Sequence, residues 1–405
     1  MTAENYDQSM ESRFVLVMCL IQFFNILDFM MVMPLGPDLA QALTIELKDI
    51  GLIGGSYTFA AAFSGLLASL FLDKYNRKSA LLVSLMGLNI ATALCALSWD
   101  APSLIITRIF AGVFGGLLSS LSFAMIADLI PGNRRGTAIG KVMAGFSLAS
   151  ILGVPFGLEL SKYLGWRGPF FAITCLGVII FLLALKFLPQ AHNKISTLDF
   201  RTRVLNILTS FKSTKSLYAF TYTLLAMISG FMIIPNISTY LQLNLGYPRA
   251  SLGILYFCGG MFTFFTMRYV GKLADQISAT IISIYSTILI IIAFSGFIGH
   301  SPVPVVIIFI ITMVSLSSRN VLLQTISSKI PTSDERGGFM SIISFFTHMG
   351  SSCGAFIASL MLSTSVTGAK LEGMTEVASV SLFLSCLIPF LLYLTERKLK
   401  ISYVS

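Results

Sequence analysis

Charge is what this sequence has least of. Of its 405 residues only 11% are Asp, Glu, Lys or Arg, against 55% hydrophobic, and the mean hydropathy is +0.85. A soluble domain carries about 25% charged residues, so a polytopic membrane protein is implied and a soluble globular one excluded. Histidine is scarce as well. His192, His300 and His348 are scattered, with no Ser-His-Asp order, metal-ligand cluster or phosphate-binding loop around them. No enzyme is expected, and neither a metal nor a cofactor. The six cysteines all lie in apolar runs, without a CxxC pair or a histidine at ligand spacing, and read as small buried hydrophobes. The polar, acidic opening MTAENYDQSMESR lacks the basic region and cleavage site of a secretory signal. The first apolar run is therefore expected to stay in the mature protein. No loop has room for an added soluble domain, which argues against a receptor or sensor.

Long apolar runs are what the sequence has in place of charge. They fall at 14–36, 48–72, 78–98, 103–128, 136–160, 167–189, 216–241, 250–273, 279–299, 303–328, 337–362 and 377–396. Each is long enough to cross about 30 Å of hydrocarbon as a helix. The fold class is all-α, with twelve membrane spans and both termini on one side. With that side placed in the cytoplasm, twenty of the 27 Lys and Arg fall in cytoplasmic loops, span ends or tails. Five lie outside (Lys48, Lys162, Arg167, Arg249 and Lys370) and two, Arg108 and Arg319, lie within spans. This bias sets the orientation. The net charge of +9 thus reads as topology and not as a nucleic-acid footprint, and the expected location is the cytoplasmic (inner) membrane.

The chain also repeats itself weakly. ADLIPGNRRG (127–136) resembles SKIPTSDERG (328–337), Asp73 matches Asp275, and Pro34 matches Pro235, all offset by 200–202 residues. A basic stretch, 190–215, separates the copies. The layout is a tail (1–13), a six-helix half (14–189), a linker (190–215), a second six-helix half (216–396) and a tail (397–405). Two such halves are the plan of a repeated transporter whose substrate site lies between them near the midplane.

GLLASLFLDKYNRKSALL (65–82) resembles the loop 2–3 signature of the major facilitator superfamily, with Ser69 and Asn76 where that signature has glycines. RIFAGVFGG (108–116) is similar to the family's Arg-and-Gly motif in span 4. GFSLASILGVPFG (145–157) resembles the Gly-Pro motif of its antiporter branch, with Val154 between Gly153 and Pro155, and WRGPFF (166–171) fits the opening of span 6. The resemblance covers the chain and points to the drug:proton antiporter group, of the bacterial drug and sugar efflux permease type. It implies secondary active export of a small organic molecule by proton antiport with alternating access. Proton-coupled uptake, or uniport, is the alternative. The partners implied are protons, a small-molecule substrate and lipid, and the fold commonly works as a monomer.

By the resemblance, Asp73 caps span 11 near Gly337-Gly338 and Arg77 pairs with Asp128. These contacts bias one conformation and do not touch substrate. Asp128 also fits independently, since a lone carboxylate ending a span beside basic residues should be paired. Small residues at Gly140, Ala144, Gly145, Ala149, Gly153 and Gly157 let another helix approach span 5. The resemblance makes that seam, with Pro155, a barrier to leakage. Glu159 reads as an interfacial carboxylate near Lys162.

Asp28 stands alone in NILDFMMVMP (25–34), near the middle of span 1, where a carboxylate costs at least a few kcal/mol. Arg319 is deep in span 10. By resemblance, spans 1, 4, 7 and 10 line the cavity, which places Asp28 and Arg319 at similar depth in opposite halves. Desolvation and a nearby guanidinium act on a carboxylate in opposite senses, and a change in that balance between access states would let Asp28 carry a proton. Asp28→Asn is expected to leave folding intact and abolish coupling. A permanent Asp28–arginine pair is the plainer alternative. Arg319 either pairs with Asp28 or binds an anionic part of the substrate; Arg108 either snorkels outward or faces inward; His348 is either a hydrogen-bonded interior histidine or a second proton carrier. Asn25 shares a helical face with Asp28, and Asn236 and Asn320 complete the candidate cavity.

Overall fold

In a bilayer each backbone polar group needs a partner within the protein, so apolar stretches cross it as helices. The computed structural model describes residues 8–71, 76–189, 208–274, 276–298, 304–331, 336–365 and 370–399. It contains twelve helices long and apolar enough to cross a membrane. They are α1 Gln8–Met31, α2 Ile50–Phe71, α3 Arg77–Ala96, α4 Ala101–Leu129, α5, α6 Arg167–Phe187, α7 Thr214–Leu243, α8 Leu252–Leu273, α9 Ala279–Ile298, α10 Val305–Ser328, α11 Arg336–Met361 and α12 Met374–Leu399. Helix α5 is composite: Gly132–Leu148 passes through a π turn, Ala149–Gly153, into Val154–Leu164. A small antiparallel pair, β1 Ser363–Thr364 and β2 Leu371–Glu372, lies between α11 and α12. The face where α1 begins and α12 ends is called here the near face, and the opposite one the far face.

Span 1 departs most from expectation. It starts six residues before Phe14 and stops at Met31, not at residue 36. A proline has no N–H and disfavours helix in the residue before it. With Pro34 and Pro37 close together the chain turns, then forms a short helix, Gly36–Leu43, with proline in its first turn. Helix α7 begins at Thr214 and residues 208–210 are helical, inside the stretch read as linker, of which 190–207 lie outside the described residues. Helix α12 runs to Leu399, into the expected tail.

Side chains close several helix ends. Asn76 accepts hydrogen bonds from the amides of Lys78 and Ser79 at the start of α3. Asp100 and Ser103 form a reciprocal capping box at α4. The Ser103 hydroxyl and amide hold the Asp100 carboxyl below the usual carboxylate range.

Apolar packing divides unevenly. One continuous core takes in α1 to α6 and also the far-face portions of the other half, among them Met232, Leu241, Leu255 and Phe309. A second core, around Phe220, Tyr222, Leu323, Phe339 and Leu392, belongs to the near-face portion of α7 to α12. The halves are therefore fused at the far face and hold separate cores toward the near one.

Candidate functional site

Asp28 lies in the last turn of α1 and is fully buried. Its counter-charge is Arg108 of α4, also fully buried, whose Nη1 lies 2.8 Å from Asp28 Oδ2. Arg108 Nη2 donates to the Asp28 backbone carbonyl at 3.3 Å. The other carboxylate oxygen accepts from Thr92 Oγ1 of α3 at 2.8 Å. The Tyr57 ring of α2 lies under the guanidinium, 4.7 Å from its centre, an arrangement favoured by the ring quadrupole. One turn earlier on α1, Asn25 Oδ1 accepts from Tyr57 Oη at 2.7 Å, and Asn25 Nδ2 donates to Ser119 Oγ at 2.9 Å and Gly115 O at 3.3 Å. Four helices of one half thus meet on one charged pair.

Glycine makes this approach possible. A Cβ on Gly112 would overlap the Tyr57 carbonyl oxygen, and one on Gly115 the Tyr57 hydroxyl. The Arg-and-Gly pattern of span 4 therefore presses α4 onto α2 and brings Tyr57 against Arg108. The outward snorkelling of Arg108 is overturned: the side chain is turned inward and fully enclosed.

Asp28 and Arg319 are not brought together, which corrects their expected similar depth and removes the pairing offered as one alternative for Arg319. Arg108 is seven residues into α4 and Arg319 fourteen into α10, two helices that both start at the far face. At ~1.5 Å per residue, Arg319 lies about 10 Å deeper than the Asp28–Arg108 pair. The misplacement comes from span 1, whose end at Met31 leaves Asp28 in the last turn beside the far face. Arg319 instead points into its own half and donates to Ser385 Oγ (3.0 Å), Ala226 O (3.3 Å) and Ser229 Oγ (3.5 Å). Asp28→Asn, expected to leave folding intact, would strip buried Arg108 of its counter-charge.

The remaining candidates are dispersed. His348 is partly buried and makes no hydrogen bond among the described residues. It shares a face of α11 with Phe345, whose ring meets Phe63 of α2 at 5.5 Å, so it sits on the seam between the halves. Asn236 is fully buried against Gly51 of α2, and its Oδ1 lacks a partner among the described residues. Asn320 is exposed, as is Gln324 one turn on. Arg77 Nε lies 2.9 Å from Asp128 Oδ2 near the near face. Asp73 lies outside the described residues. Lys162 and Glu159 pair at the far end of α5.

In α5, Pro155 offers no N–H to the Ile151 carbonyl four residues back. Just before it lies the π turn, where the Val154 amide reaches the Ala149 carbonyl. Gly153 and Gly157 seat Leu27 and Met31 of α1, and Gly145 meets the α1 backbone near Phe23. Across the halves, Gly260 of α8 meets Ser150 and Ile151, and Gly253 meets Pro155. The small-residue seam therefore joins α5 to both α1 and α8, whereas Gly140 has nothing within 4 Å of where a Cβ would sit. Between the halves Phe29 of α1 lies 5.2 Å from Tyr57 and 6.1 Å from Phe231 of α7, ring centre to ring centre.

Sequence reasoning missed Thr92 and Tyr57, which complete the charged site, and the far-face pair Asp38–Arg249. A lone hydroxyl in an apolar span carries no periodic signal. Arg249 was visible as a charge flanking a span but served only the count of orientation, and Asp38 was not singled out.

The sequence profile of the Major Facilitator Superfamily matches residues 18–355 and 220–401. An uncharacterized MFS-type transporter, YfhI of Bacillus subtilis (strain 168), is 24% identical over 336 residues, 82% of each chain. A bacterial homolog of the human lysosomal transporter Spinster, in an inward-facing and unoccupied conformation, superposes with a TM-score of 0.77 at 15% identity, covering 99% of this chain and 100% of that one. A D-xylose-proton symporter superposes at 0.76 with 14% identity, covering 97% and 99%. At these identities the structures speak for the fold alone.

Proposed function

This chain belongs to the Major Facilitator Superfamily and is a transporter, and we propose that it exports a small organic molecule by proton antiport with Asp28 as the proton carrier. The observation that carries this reading is a fully buried carboxylate held by one hydroxyl and one arginine, whose guanidinium lies over an aromatic face. A membrane protein keeps such a costly group where function needs it. Protonating Asp28 cancels the charge that holds Arg108 and loosens the join between α1 and α4. Releasing the proton restores it. Both helices belong to the set that the family resemblance assigns to the cavity, so the switch acts on the walls of the transport path. Export, as opposed to uptake, is supported by the Gly153–Pro155–Gly157 seam and its likeness to the antiporter motif. The charge bias supports a cytoplasmic near face in the inner membrane, with Arg77, Asp128 and Asp73 as conformational contacts there, and the protein is taken to act as a monomer. His348, on the seam, is the second candidate carrier.

The test is internal pH in proteoliposomes supplied with candidate substrates, comparing the parent with Asp28→Asn and with the doubly neutral Asp28→Asn/Arg108→Gln. Substrate-dependent proton flux in the parent, lost in both variants, is expected. Flux that survives in a folded variant moves the carrier to His348. Substrate movement without proton flux makes the protein a uniporter, and substrate and protons moving the same way makes it a symporter.

A further inference from the structure

Three charged side chains are fully buried among the described residues: Asp28, Arg108 and Arg319. Two balance each other. Arg319 has no carboxylate partner among the described residues, and its hydrogen bonds go to neutral groups of α7 and α12. Hydrogen bonds satisfy its N–H groups without cancelling its charge, and a guanidinium does not shed its proton in a protein. A buried charge is normally retained beside a counter-charge. A counter-charge for Arg319 would come from outside the described residues.

The surroundings specify its chemistry. Ser229, Ser381 and Ser385 converge beside the guanidinium: Ser229 Oγ lies 2.6 Å from Ser385 Oγ and 3.2 Å from Ser381 Oγ, and Ser381 Oγ donates to the Ser229 carbonyl at 2.6 Å. Each hydroxyl accepts one way and donates when it rotates. A guanidinium with three rotatable hydroxyls is a donor set for an oxyanion and offers little to a cation. Beside buried Gly230, where a Cβ would sit 3.5 Å from Leu316 Cδ2 and 3.7 Å from Ile234 Cδ1, Arg319 Nη2 lies at 4.0 Å. The next residue is Phe231, which meets Phe29 across the halves, and Phe29 in turn meets Tyr57. A ligand with its acidic group at Arg319 would leave its body near these apolar and aromatic side chains of α7, α10 and α1.

We infer that the substrate is an amphipathic organic anion whose acidic group is bound by Arg319 with Ser229, Ser381 and Ser385, and whose apolar body lies against Phe231 and Phe29. This rests on the transport reading above and names its substrate class.

The test is thermal unfolding of the purified full chain in detergent with aromatic carboxylates (benzoate, 4-phenylbutyrate and 1-naphthoate), each against its own carboxamide. At least one carboxylate is expected to raise the midpoint in a dose-dependent way while its amide does not. The shift is lost in Arg319→Gln, and in Ser385→Ala the dose needed rises about tenfold, as for one hydrogen bond to a charged group. Equal stabilisation by acid and amide, a shift that survives Arg319→Gln, or no shift with any of the three acids overturns the inference. The acid-against-amide comparison needs no variant, and Ser385→Ala and Phe231→Ala locate the site if Arg319→Gln does not fold. Binding is read without a proton gradient, so the two readings fail separately. Anion binding without proton flux removes the coupling alone, and coupled flux without anion binding removes the substrate class alone.

Discussion

Arg249 and Asp38 tie the two halves together at the far face. Arg249 Nη2, just before α8, lies 2.6 Å from Asp38 Oδ2 in the short helix after α1, and also bonds Ser161 of α5 at 3.1 Å. Ser359 of α11 donates to Asp49 at 2.7 Å, so a second polar contact crosses the same face. Alternating access requires these contacts to break when the far face opens. The pair is partly exposed, and such a pair contributes about 0.5–1 kcal/mol, which is roughly a two- to fivefold change in population. Arg249→Ala and Asp38→Ala should each lengthen the distance between spin labels at Tyr163 and Glu372. The charge-swapped double variant should return it to the parent value. Unchanged distances in both single variants would show that the pair does not hold this face.

Gly112 and Gly140 should respond oppositely to the same substitution. At Gly112 the new methyl meets the Tyr57 backbone, which cannot step aside. Overpacking there costs about 1–3 kcal/mol and pushes Tyr57 off Arg108. At Gly140 nothing lies within 4 Å, and alanine gains up to about 1 kcal/mol of helix propensity. Thermal unfolding should show a lower midpoint for Gly112→Ala and an equal or higher one for Gly140→Ala. Equal losses at both positions would refute the close α2–α4 packing derived from the structure.

The twelve spans were legible because the bilayer imposes one simple requirement, about twenty apolar residues in a row. Asp28, Arg108 and Arg319 were legible for the same reason, as charges in the wrong solvent. Their partners were not. Which helix faces reach each other depends on where each helix ends, and α1 stops at Met31, ahead of Pro34 and Pro37, where residue 36 was expected. That difference moved Asp28 from Arg319 to Arg108. Tyr57 and Thr92 reach the pair from two other spans, and contacts between spans leave no trace in the periodicity of any one of them. The π turn of α5 was foreshadowed by Gly153 and Pro155, but its role in seating α8 as well as α1 required the packing.

Glu396, near the end of α12, closes the start of α9. One carboxylate oxygen accepts from the Ala279 amide at 2.7 Å, and the other from Ser278 Oγ and Thr280 Oγ1, each at 2.6 Å. The helix start favours negative charge, and these bonds link two helices far apart in sequence. Glu396→Ala should lower stability by about 1–3 kcal/mol, and Glu396→Gln, which keeps the shape, should lose less. Chemical unfolding in mixed micelles provides the comparison. An alanine variant as stable as the parent would mean that other groups cap α9.

The Asp28–Arg108 pair allows a double-mutant cycle that separates its structural from its functional weight. Removing one member leaves the other charged, buried and unpaired, which typically costs about 3–5 kcal/mol. Asp28→Asn and Arg108→Gln should each unfold at lower temperature than the parent. The double variant removes both charges and leaves neutral groups able to bond Thr92 and one another, so it should recover most of the loss, with a coupling of about 2 kcal/mol or more. If the pair were structural alone, restored stability would bring restored transport. If Asp28 carries the proton, the double variant is stable and still fails to couple substrate to proton flux. Additive losses in the two single variants would mean that the 2.8 Å contact carries no energy, and the site would have to be sought elsewhere.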